Sequence, residues 1–188
     1  VRTEQLALDI NATSPLINVS FSGENKNANA KDGHFTAVTA TVTITERKNH
    51  FSAENATNGI AITAKNYKNE DLTANYEVSD WEETVNELVP DETKHTATVK
   101  LRGDANYTFN VSYVGKAGNP NEKVTYAEGP VDHNGFTIDN EAPQEASVTV
   151  NRNVWKELLS ILTFGLYSNV EAKVEMTAYD EISGVEIE

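Results

Sequence analysis

The sequence predicts an all-β protein. Short segments in which apolar and polar residues alternate recur along the chain, and clusters of Gly, Asn, Asp and Pro separate them. The clearest segment has Val38, Ala40, Val42 and Ile44 alternating with threonines, and β-branched residues at every second position are typical of a strand. About seven such strands with little helix between them are typical of a β-sandwich.

The predicted strands of the first domain follow one another in order. The first covers residues 16–22 and places Ile17, Val19 and Phe21 on one face. A polar loop at 23–34 leads to the threonine-rich strand, and a polar stretch at 46–59 with one helical turn follows it. The remaining strands are predicted at 60–62, 76–78, 95–101, 107–113, 123–126 and 136–138.

Two interpretations apply to the turn at residues 103–106, which contains Gly103 and Asp104. The flanking strands, 95–101 and 107–113, have the pattern of a hairpin. The position of Tyr107 is also compatible with a tyrosine corner, in which a phenol bonds back to the chain where it crosses from one sheet to the other.

An acidic joint, Asp139-Asn140-Glu141-Ala142-Pro143, divides the chain. Pro143 restricts Ala142 to an extended conformation, and a similar piece occurs at 9–15. We therefore predict a linker or the tail of a preceding repeat at 1–13, a sandwich domain at 14–139 and the first part of a second domain at 140–188.

The pattern restarts after the joint. Strands are predicted at 146–150 and 170–176, and the second of these aligns with the threonine-rich strand of the first domain. Between them, Trp155, Leu158, Leu159 and Leu162 have helical spacing, which predicts a short helix.

Composition limits the classes of partner. The net charge is -14, which argues against nucleic acid and against anionic membrane surfaces. The chain has no cysteine, so disulfides and thiolate metal sites are excluded. No apolar run reaches the length of a membrane span, so we expect no membrane insertion.

Several segments together resemble repeated immunoglobulin-like domains of large surface proteins from Gram-positive and gut bacteria. They are the joint 139–143, the strand 40–47, the turn and strand 103–109, the segment ending in Ala117-Gly118-Asn119, the segment with Trp155 and 163–166, and residues 178–185. The resemblance implies an immunoglobulin-like β-sandwich followed by a partial second one. It also implies secretion, neighbouring repeats as partners and a role as stalk, spacer or adhesin module.

No catalytic motif is present in the sequence. The four histidines, His34, His50, His95 and His133, have no metal-ligand spacing, and a surface position is predicted for each. Nucleophile elbows and phosphate-binding glycine loops are absent. We therefore predict that the chain is not an enzyme.

Two candidate sites follow from residue types. Tyr67, Tyr76 and Trp81 lie in the 46–94 region and could stack on the sugar rings of a host glycan or contact a host protein. For Trp81, a position in the core is the alternative. Asp139, Asn140 and Glu141 at the joint, together with Asp180, carry the oxygen ligands that Ca²⁺ prefers, and calcium is the one cofactor worth considering.

The expected function is that of a non-enzymatic, extracellular structural module of a bacterial surface protein. Two alternatives stay open: an adhesin module that binds through the 46–94 region, and an accessory domain of a secreted glycan-degrading enzyme.

Overall fold

A computed structural model describes residues 10–24, 34–129, 131, 134–141, 144–151, 162 and 173–182. The chain divides into two compact units, Val1–Asn140 and Glu141–Glu188. The regular secondary structure of the described residues is almost entirely β-strand, as predicted. Its elements are β1 Leu16–Glu24, β2 His34–Phe35, β3 Ala37–Arg47, α1 Ala53–Asn58, β4 Ile60–Lys65, β5 Asp71–Leu72, β6 Tyr76–Val78, β7 Glu82–Val85, β8 Glu92–Leu101, β9 Ala105–Val111, β10 Val124–Tyr126, β11 Gly135–Ile138, β12 Gln144–Asn151 and β13 Lys173–Tyr179.

The first unit contains two sheets. The first sheet has the strand order β10-β1-β3-β8-β6, and β7 pairs with β8 beside β6. The second sheet has the order β2-β11-β9-β4-β5. Most pairs are antiparallel, while β1 with β10 and β11 with β2 are parallel.

The two sheets pack face to face because their long strands, β1, β3, β8 and β9, present apolar residues inward. Phe21 of the first sheet lies with its ring centroid 5.6 Å from those of both Phe109 and Phe136 in the second sheet. Along β3, the residues from Val38 to Glu46 alternate between buried and half-buried. The faces predicted for the strands at 16–22, 38–44, 95–101 and 107–113 are those that the core buries.

The predicted hairpin between 95–101 and 107–113 is wrong. β8 pairs with β3 in the first sheet, whereas β9 pairs with β4 and β11 in the second. Both strands carry apolar residues at alternate positions. That pattern is the same for two strands paired in one sheet and for two strands that face each other across a core. The other interpretation of this turn is confirmed, since the Tyr107 hydroxyl donates to the carbonyl of Gly103 at 2.8 Å where the chain crosses between the sheets.

The edge formed by β6 and β7 contains a β-bulge. Val78 lies opposite Val99 and Glu82 lies opposite Thr96, so three residues, 79–81, face two, 97–98. The bulge is anchored where Ser79 donates its N–H to the carbonyl of Thr98, at 2.9 Å. A bulge redirects side chains locally, and here the redirected residue is Trp81.

The chain enters and leaves the first unit at opposite ends. β1 begins at Leu16, which lies opposite Thr45 near the end of β3. β11 ends at Ile138, which lies beside Phe35, just before β3 begins. One passage through the unit therefore advances the chain by about the length of β3, roughly 35 Å for a strand of this size.

The second unit is described over two strands. β12 and β13 pair antiparallel, with a register irregularity between Gln144 and Ser147, in agreement with the strands predicted there. The Ser147 and Thr177 hydroxyls lie 2.6 Å apart across the pair. The predicted helix lies outside the described residues except for Leu162. So do residues 1–9 of the linker or tail predicted at 1–13.

Candidate functional site

A group of aromatic and ionisable side chains packs together at the end of the sandwich where β3 stops and β8 starts, beside the edge formed by β7. We call it the edge cluster; it consists of Glu46, Phe51, Trp81, His95 and Tyr113. Phe51 is at its centre, with its ring 3.7 Å from that of His95 and nearly parallel to it. The Trp81 and Tyr113 rings lie 5.4 and 5.8 Å from Phe51.

Trp81 reaches this cluster because of the bulge at 79–81. Its indole N–H donates to the hydroxyl of Thr57 in α1 at 3.0 Å, and its ring packs edge-on against Phe51. Ser52 caps α1 by accepting from the N–H of Asn55. The helical turn predicted here is thus a short helix, and it fixes the indole.

His95 is buried, with only 4% of its surface exposed, so the predicted surface position is wrong. It lies on the inward face of β8, two residues from Thr93, whose hydroxyl is 2.9 Å from its Nε2. Burial lowers the pKa of His95, and the Glu83 carboxylate at 3.9 Å opposes that shift only in part. The imidazole is therefore neutral at pH 7.

Glu46 and Tyr113 form a buried hydrogen bond. The Tyr113 hydroxyl donates to Glu46 Oε2 at 2.6 Å and accepts from the N–H of Ser52 at 2.9 Å. Burial raises the pKa of both side chains. The second carboxyl oxygen, Oε1, accepts no hydrogen bond from the described residues and lies against Gly115, where a Cβ would approach it to 1.9 Å.

The edge cluster does not have the geometry of a catalytic relay. A histidine that activates a nucleophile uses one ring nitrogen for the nucleophile and the other for an orienting group. Here the Thr93 hydroxyl and the Glu83 carboxylate both approach Nε2. Thr93 is also buried, which keeps its hydroxyl from a substrate. The cluster instead fastens the 46–59 segment to the sandwich.

The two predicted tyrosines lie elsewhere on the unit. Tyr67 follows β4, with the Lys68 ammonium 5.3 Å from its ring centre, and Tyr76 begins β6 opposite Leu101. Each is 41% exposed. Both lie toward the end where β8 stops and β9 begins. Trp81 lies further along the edge formed by β6 and β7 and contacts Phe51 and Thr57.

The predicted calcium ligands of the first unit take part in hydrogen bonds at its exit. The N–H of Asp139 donates to the carbonyl of Phe35 at 2.9 Å. The side-chain amide of Asn140 donates to Asp104 Oδ1 at 2.7 Å and to the carbonyl of Thr36 at 3.1 Å. These bonds stabilise the exit of the chain from the sandwich.

In the second unit, Glu141 is exposed, and the buried Asp180 accepts from the N–H of Ile182 at 3.0 Å. Among residues that the structure describes, no three His, Asp or Glu side chains come together as a metal site. A calcium site at Asp139, Asn140, Glu141 and Asp180 stays a prediction.

Sequence reasoning missed Glu46, Phe51 and Tyr113 as members of one cluster. A signal for Glu46 was present, because it continues the inward series Val38, Ala40, Val42 and Ile44 at the same spacing. A carboxylate at an inward position of a strand requires a partner, and that requirement could have drawn attention to it.

Comparison with protein-family models, curated proteins and solved structures gave no match. None of the helices in the described ranges is long and apolar enough to cross a membrane.

Proposed function

We propose that the first unit is an immunoglobulin-like β-sandwich that acts as a non-enzymatic spacer in an extracellular surface protein of a bacterium. The immunoglobulin-like assignment is supported by strand order. Constant-type immunoglobulin domains have sheets ABED and CFG. The orders β1-β3-β8-β6 and β4-β9-β11 correspond to these, and Tyr107 occupies the corner between the equivalents of strands E and F.

The spacer function rests on one observation, the exit of the chain at the end opposite its entrance. Units with this geometry can be joined in series, and each adds its full length to the array. The exit is also held, since Asn140 is bonded to both Asp104 and Thr36. These bonds fix the position at which the chain leaves the first unit, which is what a spacer requires.

The distance between the two ends tests the geometry. The chain has no cysteine, so the pair Ala12→Cys and Arg102→Cys can carry spin labels at the two ends. We expect a single narrow distance distribution centred at about 35–40 Å, from the strand rise. A broad distribution would contradict a rigid spacer.

Binding to an array of host glycans and matrix proteins, with calcium and with chelator, tests the function itself. We expect no specific hit. A specific hit that Tyr67→Ala or Tyr76→Ala abolishes would favour the adhesin alternative, which is supported by the exposure of these two rings. A hit that is lost only with chelator would instead favour the predicted calcium site.

A further inference from the structure

The outer edge of the first sheet carries an unusual combination of features between residues 80 and 92, which we call the acidic edge. It contains β7 and the turn that leads into β8. Six acidic residues and no lysine or arginine occur in it: Asp80, Glu82, Glu83, Glu87, Asp91 and Glu92. All four residues of β7 are exposed, and β7 pairs only with β8 among the described strands.

The hydrogen-bond register shows which backbone groups of β7 face away from the sheet. The N–H of Asn86 donates to the carbonyl of Glu92 at 3.2 Å, so this pair is a hydrogen-bonded one. Hydrogen-bonded and non-hydrogen-bonded pairs alternate along an antiparallel ladder. Thr84 and Glu82 therefore bond to β8, and the N–H and C=O groups of Glu83 and Val85 point outward.

Exposed apolar side chains lie beside these outward groups. Val85, Leu88 and Val89 are 63%, 90% and 43% exposed. Val85 shares the inward face of its sheet with Thr93, yet the second sheet does not cover it. A strand added to β7 would thus find both backbone partners and an apolar surface.

The charge of this edge indicates what kind of strand would fit. The carboxylates of Asp80, Glu82, Glu87 and Asp91 form no salt bridge with the lysines and arginines of the described chain. A second copy would bring the same carboxylates together, and like charges across a strand pair are destabilising. A segment with alternating basic residues would bring the opposite charge instead.

We propose that the acidic edge is a docking site for an extended, basic segment of a partner protein, which adds to β7 as a new strand. Main-chain bonds to Glu83 and Val85 supply affinity, and the surrounding carboxylates select a basic sequence. This interaction does not depend on the spacer function, since it requires only the first unit. The opposing hypothesis is that the acids solely prevent edge-to-edge association.

The test uses a short acetylated peptide in which lysine alternates with valine, added to the whole chain. Amide hydrogen exchange reports the site directly. We expect the outward amides of Glu83 and Val85 to exchange more slowly when the peptide is bound. Unchanged exchange at both amides would overturn the proposal. A free protein that is already a dimer, and in which these two amides exchange slowly, would overturn it as well.

Variants separate strand addition from simple charge attraction. Val85→Pro removes an outward N–H without breaking a bond to β8, and we expect it to weaken peptide binding about tenfold. Val85→Ala keeps the N–H and should weaken binding only about twofold. Binding to Val85→Pro that equals binding to the wild type would overturn the proposal. If Val85→Pro fails to fold, the exchange of the wild-type amides decides alone.

A pair of double variants with equal charge change tests selectivity. Glu82→Gln with Glu87→Gln should weaken binding several-fold at low salt. Glu24→Gln with Glu77→Gln removes the same charge from exposed positions outside the acidic edge and should change binding less than about twofold. An equal loss in both double variants would show non-specific attraction and overturn the proposal.

Discussion

At Gly115, a hydrogen atom in place of a methyl group leaves room for the buried carboxyl of Glu46. A Cβ at this position would lie 1.9 Å from Oε1, and that side chain is held by its bond to Tyr113. We expect Gly115→Ala to reduce the free energy of unfolding by about 2–3 kcal/mol, since the carboxyl must move. Urea denaturation measures it. Gly129→Ala, where the nearest atom to a Cβ is 3.7 Å away, is the control and should change little.

Burial of His95 makes the free energy of unfolding decrease as the pH falls. Its folded pKa lies below the usual 6.5 because it is buried, so the unfolded state binds the proton more readily. The contribution of the neutral His95 to the free energy of unfolding is fully present above the pKa of the unfolded state and is lost as the pH falls below it. We expect wild type to lose more stability between about pH 7 and 5 than His95→Phe, measured by denaturation at each pH. Equal pH slopes would contradict a neutral buried imidazole.

Burial of Glu46 has the opposite effect and makes the free energy of unfolding decrease as the pH rises. Its folded pKa is raised above 4.5 by burial, so the folded state holds the proton more tightly. This contribution is present below the unfolded pKa and is lost as the pH rises through the folded one. Glu46→Gln keeps an oxygen for Tyr113 but cannot ionise. We expect its stability relative to wild type to increase from about pH 4 to pH 7. A difference that does not change with pH would contradict the assignment.

At the scale of elements, the crossing from β8 to β9 depends on one phenol. Tyr107→Phe removes the bond to the carbonyl of Gly103, and we expect a loss of about 1 kcal/mol in the free energy of unfolding. Tyr76→Phe removes an exposed hydroxyl on β6 and serves as the control. Equal effects in the two variants, measured by urea denaturation, would show that the corner bond contributes nothing.

Elements differed in how well the sequence predicts them. β1 and β3 could be assigned with their faces because alternation continues over many residues in each. β2, β5 and β7 were not predicted, since two to four residues are too few to show a period. The β8–β9 connection was interpreted both as a hairpin and as a tyrosine corner. Alternation of apolar residues specifies which face of a strand is buried, but it does not specify which strand lies next to it.

The candidate site was harder to predict than the strands. Trp81 was named with the two tyrosines as a candidate stacking ring, with a core position as its alternative. The tyrosines are exposed, whereas the extra residue at 79–81 turns Trp81 toward Phe51. A bulge of this kind leaves no composition signal that distinguishes it from an ordinary turn. His95 was assigned to the surface on its residue type, although its position two residues before Ala97 placed it on the buried face.

At the scale of the molecule, the first unit depends on a continuous core between its sheets. Val42 is fully buried on the central strand β3, where its neighbours are Val19 and Ala97. We expect Val42→Asp to unfold the unit, because an unpaired charge there costs more than about 4 kcal/mol. Circular dichroism measures the loss of β-structure. Thr41→Asp, one residue away on the outer face, is the control and should stay folded.

The extra residue at 79–81 also matters when many copies of the chain are crowded together. Without it, β6 and β7 would form one straight edge along β8, long enough for the same edge of another molecule to pair with it and form a dimer. The bulge divides that edge into two short pieces, and the carboxylates of the acidic edge repel the same edge of a second copy. The single additional residue therefore opposes edge-to-edge association when the protein is concentrated.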